Sequence, residues 1–276
     1  MTVLVFGAAG QLGQELVALA SLVVGGAIAV PHEQASITDE TAVQELLDQH
    51  HPDMVYNCAA YNAVDRAESE QGAAYAANEL GPAVLATACM RHRARLVHFS
   101  TNFVFDGELD RPYVESDEPA PLSVYAMSKL MGERRVLETS PDFLVVRTAG
   151  VFGGPASFPS RILDRARSGQ PVRVVSDQTV NPTYARDLAE AALELVEDHT
   201  TGLVHAVAEG CCSWDEFAQA AIDVSGLAVK VGPISTGQLN APARRPANGC
   251  MLSERFRPLR PWRAALHEWA GRLREA

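Results

Sequence analysis

Short apolar runs alternate, through the first half of the chain, with longer stretches in which apolar residues recur every three or four positions. "VLVFG" (3–7) is a β-rich run ending in glycine, and a helical pattern follows from Gln11 to about Ala20. "GAIAV" (26–30), "PDMVYNCAA" (52–60), "RLVHFST" (95–101) and "FLVVRTA" (143–149) read as further strands. Between them, "TDETAVQELLDQH" predicts a helix opened by a cap-like Thr38 and ending at His50, and helices are predicted over about 67–93 and 122–138. The strands are almost wholly apolar, which requires cover on both faces of the sheet. This alternation predicts an α/β, Rossmann-type fold with a doubly wound parallel sheet.

The texture changes after "GVFGGPAS". A helix near 158–168, the run "PVRVVSD", a helix at about 184–197, a strand "GLVHAVA" (202–208) and a helix at about 213–225 follow. The tail from Pro233 is rich in Pro and Arg and reads as irregular until a last helix near 262–274. The division predicted is a dinucleotide-binding domain over 1–152, with 178–200 returning to it, and a smaller interwoven C-terminal substrate-binding portion over 153–177 and 201–276.

Composition narrows the partners. The chain has 276 residues, 47% of them hydrophobic and 21% charged, as in a soluble globular protein. Its longest apolar run, "LVALASLVVGGAIAV", is divided by Ser21 and a glycine pair, so no membrane span is predicted. The N-terminus carries no basic leader, and a cytoplasmic location is expected. A net charge of −11 argues against nucleic acid as the main partner. Five cysteines, an odd number without CxxC spacing, suggest free thiols in a reducing compartment. The eight histidines show no metal-ligand spacing, so no metal site is predicted. Residues 241–276 hold eight Arg against Glu254, Glu268 and Glu275. That cluster either balances an acidic body or grips an anionic ligand such as a diphosphate.

Two local motifs carry chemistry. "GAAGQLG" sets Gly7, Gly10 and Gly13 between the first strand and the first helix. Gly7 permits a tight turn, Gly10 a close approach of a pyrophosphate, and Gly13 close packing of helix on sheet. The helix start then offers free N–H groups and a positive dipole end to phosphate. Coenzyme choice stays open between NADH and NADPH. Glu33 could hold the ribose hydroxyls, and no Arg lies nearby to grip a 2′-phosphate.

The second motif is "SVYAMSKL" (123–130). Only Lys129 and Lys230 stand against 21 arginines, and Lys129 follows Tyr125 by four residues, on one helix face. An ammonium near a phenol is expected to lower the phenol's pKa, so that Tyr can give a proton to a carbonyl oxygen. Ser100 and Thr101 end the preceding strand, at the sheet edge where ligands bind, and a hydroxyl there could hydrogen-bond the same oxygen.

Together with "PDMVYNCAAYNAVDRAESE", "STNFVFDG", "VVRTAGVFG", "VVSDQTVNPTYARDLA" and "RRPANGCMLSERF", these segments resemble the extended short-chain dehydrogenase/reductases, and within them the dTDP-4-dehydrorhamnose reductase family, over nearly the whole chain. The resemblance implies NAD(P)H-dependent reduction of a nucleotide-linked 4-keto-6-deoxy sugar, with Thr101, Tyr125 and Lys129 as catalytic residues. It implies coenzyme contacts at Gly10, Gln11, Leu12, Ser36, Ile37, Ala60, Tyr61, Asn62 and Phe99, in addition to Tyr125 and Lys129. Substrate contacts are expected at Val64, Thr101, Asn102 and Gly150. Arg161, Arg245, the Arg-rich tail and "VNPTYARD" are expected to hold the diphosphate. Homodimers occur in such a family, some with Mg at the subunit contact, and Glu15 matches one such ligand. Where the family usually reads "STDYVF" and Trp in "RT-x-W-V", this chain has Asn102, Phe103 and Gly150. All three departures fall at the sugar pocket, so a different keto-sugar is an open alternative. An epimerase and a non-catalytic binding subunit are the rival readings.

Overall fold

The protein is described by a computed structural model covering residues 1–24 and 26–275. Strand β1 (Val3–Phe6) leads through the glycine turn into helix α1 (Gln11–Val24), followed by β2 (Ala27–Val30), α2 (Glu40–His50) and β3 (Met54–Asn57). Of the glycine pair noted in the sequence, Gly25 lies outside the described residues. Asp39, not Thr38, caps α2: its carboxylate accepts the Ala42 N–H, whereas the Thr38 hydroxyl bonds Ser36. The helical stretch expected over 67–93 is broken into α3 (Val64–Ala67), α4 (Gln71–Tyr75), a π-helical turn (Ala76–Leu80) and α5 (Gly81–His92). Then come β4 (Arg95–Thr101), α6 (Val124–Thr139, capped by the Ser123 side chain) and β5 (Leu144–Thr148).

Helix α7 (Phe158–Arg167), β6 (Arg173–Val175), β7 (Thr179–Val180), α8 (Ala185–Glu197) and β8 (Gly202–His205) complete the middle of the chain. All six strands of the main sheet are parallel, in the order β2-β1-β3-β4-β5-β8. The sixth strand is thus drawn from residues that the sequence assigns to the substrate-binding portion. Strand β8 pairs with β5, and the apolar Val204 adds to the sheet's core.

Alternation along each strand builds the two covering layers. Val3 and Val5 face Leu12, Leu16, Leu188 and Leu195 of α1 and α8, whereas Leu4 and Phe6 face Val43, Leu47, Leu85 and Val136 of α2, α5 and α6. A separate aromatic core, with Phe152, Tyr184, Phe217, Trp262 and Trp269, holds the C-terminal portion together.

The tail is more ordered than its composition suggests. Residues 232–234 pair with β6, Ser235 and Gln238 form a capping box, and Asn248–Gly249 pairs with β7. Cys211 and Cys250 are joined as a disulfide, contrary to the expectation of free thiols. The sheet pairings of residues 212–213 and 248–249 to β7 bring their neighbours to a Cα separation of 6.1 Å across 39 residues of sequence. Cys58, Cys89 and Cys212 are free.

Candidate active site

From β1 the chain turns outward to β2, then returns to lay β3 on the other side of β1. Such a reversal opens a crevice at the carboxyl ends of the two inner strands. Gly7 makes the turn there with φ +71°, and a Cβ on it would stand 2.5 Å from the Ala59 backbone nitrogen. Gly13 is equally constrained, since its Cβ would meet the Gly7 carbonyl oxygen at 2.4 Å. The glycines therefore let α1 begin almost against the sheet, with its first N–H groups aimed into the crevice.

Two cavities of about 400 Å³ each follow this edge and share Gly10, Cys58, Ala59, Ala60 and Asn62. One lies over β1 and β2 and is lined by Gly7, Ser36, Ile37 and Tyr61, with His32 and Glu33 at its rim. The other runs over β4 and β5, lined by Gln11, Leu12, Val64, Phe99, Thr101, Asn102, Tyr125, Lys129, Gly150 and Arg161. The expected coenzyme and catalytic residues, with Val64, Asn102, Gly150 and Arg161, lie on this continuous cleft, whereas Arg245, the tail arginines and "VNPTYARD" do not. The loop supplies backbone N–H groups and glycine clearance, so the chain's residues fit a dinucleotide.

Thr101 ends β4 and Tyr125 opens α6, and both are buried. Burial raises the Tyr125 pKa above its ordinary value, and a hydrogen bond with the Thr101 hydroxyl partly offsets that. The net shift is upward, opposite to the lowering expected from Lys129. Lys129 donates to the Phe99 carbonyl oxygen at 2.7 Å and approaches His98 Nε2 at 3.4 Å. Burial lowers the Lys129 pKa to about 8, opposed by the charge of Glu133 and by Cys58.

Several residues that sequence reading missed hold this cleft in shape. Asn78, on the π turn, accepts the Tyr61 N–H at 2.9 Å, and its amide donates to the Tyr61 carbonyl and to Ser128 on α6. A wider turn inserted in a helix is a frequent mark of a functional site, but its hydrogen bonds leave no composition signal. Glu133 and Arg147 form an ion pair at 2.7 Å beneath the cleft, and the Ser100 hydroxyl donates to the same carboxylate. Phe158 and Trp214 stand edge to face, 4.7 Å apart, on the wall beside Arg161.

Other expectations are corrected by packing. Arg245 is bound to Asp65 at 2.8 Å and to the Ala243 carbonyl, and does not line the cleft. The tail arginines are engaged likewise: Arg257 with Glu194, Arg260 with Asp187 and Glu268, Arg272 with Glu268 and Glu15. In "VNPTYARD", Asn181 binds backbone at Ala208, Gly210 and Met251, and Arg186 pairs with Glu15 and Glu190. These charges balance an acidic body rather than lining the cleft. Glu15, the residue expected at a Mg site, lies between two guanidinium groups, and among the described residues no cluster of His, Cys, Asp or Glu could hold a metal ion. Asn102 is buried, with its amide donating to the Gly249 carbonyl at 2.9 Å. Gly150 has φ +53°, and a Cβ there would lie 2.9 Å from the Asn181 carbonyl oxygen.

Fold and cleft together define a Rossmann protein of the extended short-chain dehydrogenase/reductase class. The family model "RmlD substrate binding domain" matches residues 1–275, and the chain belongs to that family. dTDP-4-dehydrorhamnose reductase of Mycobacterium tuberculosis is 43% identical over 273 residues, which cover 94% of this chain and 89% of that protein. The crystal structure of a dTDP-4-dehydrorhamnose reductase from Clostridium acetobutylicum superposes with a TM-score of 0.94 at 33% identity, covering 99% of this chain and all of that one. The Bacillus anthracis dTDP-4-dehydrorhamnose reductase in complex with NADP gives 0.93 at 30% identity, covering 100% of this chain and 99% of that one. No described helix is long and apolar enough to cross a membrane.

Proposed function

We propose that this protein is an NAD(P)H-dependent reductase of a nucleotide-linked 4-keto-6-deoxy sugar, with dTDP-4-dehydrorhamnose as the leading substrate. One observation carries the reading: Thr101, Tyr125 and Lys129 line the same cleft as the glycine loop at Gly10–Leu12. The names of the relatives and the NADP held by one of them support it.

When bound, the reduced nicotinamide coenzyme supplies a hydride. Gly10, Gln11 and Leu12 would take its pyrophosphate, with Ser36 and Ile37 toward the adenine end. The chain's own work is on the proton and the substrate. Thr101 and Tyr125 hydrogen-bond the keto oxygen, and the Tyr125 phenol donates the proton that converts it to hydroxyl as the carbon is reduced. Lys129, one helical turn on, in its ammonium form supplies positive charge against which the Tyr125 phenolate forms. Arg161 is exposed at the cleft wall, without an ion-pair partner among the described residues, and is the cation suited to the sugar's diphosphate. Phe158 and Trp214 offer flat surfaces for a base or sugar beside it. A cytoplasmic homodimer is part of the same proposal, and light scattering in solution tests the dimer.

The test is incubation with freshly generated dTDP-4-dehydrorhamnose and either NADH or NADPH, following loss of the reduced-coenzyme absorbance. Oxidation that disappears in Tyr125→Phe supports the reading and settles the coenzyme. Coenzyme binding with no oxidation would refute this substrate. A second reading, a different dTDP-linked keto-sugar, is favoured by Gly150 and Asn102, which leave the sugar side without the family's Trp and carboxylate. The same assay with other 4-keto sugars decides it.

A further inference from the structure

Beneath the cleft lies a buried polar chain that the proposed mechanism does not use. Asn57 ends β3, His98 lies on β4 and Lys129 on α6. The Asn57 and His98 side chains are 3.0 Å apart, and His98 Nε2 is 3.4 Å from Lys129 Nζ. All three residues are at most 2% exposed.

The hydrogen bonds determine where the protons sit. The Ala59 N–H donates to Asn57 Oδ1 at 3.1 Å. The atom that faces His98 Nδ1 is therefore the Asn57 amide nitrogen, a donor only. Nδ1 must accept, so a neutral imidazole carries its proton on Nε2, the nitrogen turned toward Lys129. Neutrality is secured by burial, which holds the His98 pKa well below its ordinary value.

We propose that His98 is a positioning residue for Lys129: Asn57 locks the imidazole as the Nε2–H tautomer, and that N–H, aimed at Nζ, favours the neutral amine over the ammonium. The donor count agrees. A neutral amine has two N–H groups and one lone pair. It donates to the Phe99 carbonyl at 2.7 Å, accepts from His98, and keeps one N–H for the cleft. An ammonium would instead turn an N–H against the imidazole N–H. The other titratable groups acting on Nζ are Cys58 after β3, a thiol kept neutral by burial, and Glu133 on α6 itself. The depressed basicity of Lys129 is consistent with this environment. Lys129 thus carries its charge at lower pH and loses it as the pH rises, and His98 sets the pH at which it does so.

Two measurements test this on the full chain. Nitrogen NMR of ring-labelled histidine, with His98 assigned through its backbone, reads the tautomer without any substrate. Protonated Nε2 and bare Nδ1 are expected; a proton on Nδ1 overturns the proposal. In His98→Gln the side-chain amide is free to turn its carbonyl toward Nζ. The alkaline fall of kcat/KM is then expected about one pH unit higher. An unmoved profile in a folded variant overturns the proposal. The kinetic arm rests on the reductase reading and the tautomer arm does not, so failure of one is distinguishable from failure of the other.

Discussion

The Glu133 carboxylate and the Arg147 guanidinium meet at 2.7 Å, and each side chain is 3% exposed. Arg147 also lies over the Phe105 ring at 5.1 Å, and Glu133 accepts from Ser100, next to Thr101. The pair therefore ties α6, which carries Tyr125 and Lys129, to the sheet edge that carries Thr101. Glu133→Ala leaves a buried, uncompensated guanidinium and is expected to cost about 3–5 kcal/mol. Urea unfolding of the variant measures it. Replacing both partners with apolar residues of similar volume is expected to cost much less than the single change.

Tyr125→Phe removes one oxygen and keeps the edge-to-face contact with Phe103, whose ring centre is 5.7 Å away. The expected result is a fall in kcat of about 10²–10⁴-fold with coenzyme affinity near wild type. Steady-state kinetics and a fluorescence titration of the coenzyme separate the two effects.

Arg161 and Arg245 stand in different electrostatic positions. Arg161 lines the cleft, whereas Arg245 is engaged by Asp65, whose carboxyl it holds below the usual pKa through their hydrogen bond. Arg161→Ala is expected to forfeit about 1.5–3 kcal/mol of binding, roughly a tenfold to hundredfold rise in KM for the nucleotide sugar. Arg245→Ala should leave that KM close to wild type. Equal effects in kinetic assays of the two variants would contradict this assignment.

Lys129 links stability to pH. Its folded pKa of about 8 lies below its ordinary 10.5, so between those values the unfolded chain binds more protons than the folded one. Its contribution to stability therefore rises as pH increases through that window. Lys129→Met should remove this rise. Relative to wild type, the variant is expected to be more stable at pH ~7.5 than at pH ~9.5, as read by urea unfolding at both. A difference independent of pH would mean that Lys129 is not depressed.

Much of the frame is legible in the chain. Gly7, Gly10 and Gly13 disclose the turn because the steric demand falls on residues within one loop. Tyr125 and Lys129 disclose their shared helix face because four residues make about one turn. Where the long Lys129 side chain ends is not legible in the chain, since its direction depends on the carbonyl of Phe99 and the ring of His98. Both lie some thirty positions away in sequence and meet it only across β4.

Periodicity and glycine spacing determined the parallel sheet, the coenzyme loop and the shared helix face of Tyr125 and Lys129, because short-range sterics and burial act between residues close in sequence, whereas Thr101 joined that pair only through the family resemblance. Only the tertiary structure decided which charges face the cleft. Arg245 could grip a phosphate or pair with Asp65, and Glu133 could be solvated or buried against Arg147, according to distances of a few ångströms set by packing. The same holds for the Cys211–Cys250 bridge and for the alignment of Asn57, His98 and Lys129. Electrostatic and hydrogen-bond partners are chosen through space, and residues distant in sequence acquire that relation only when the sheet and helices assemble.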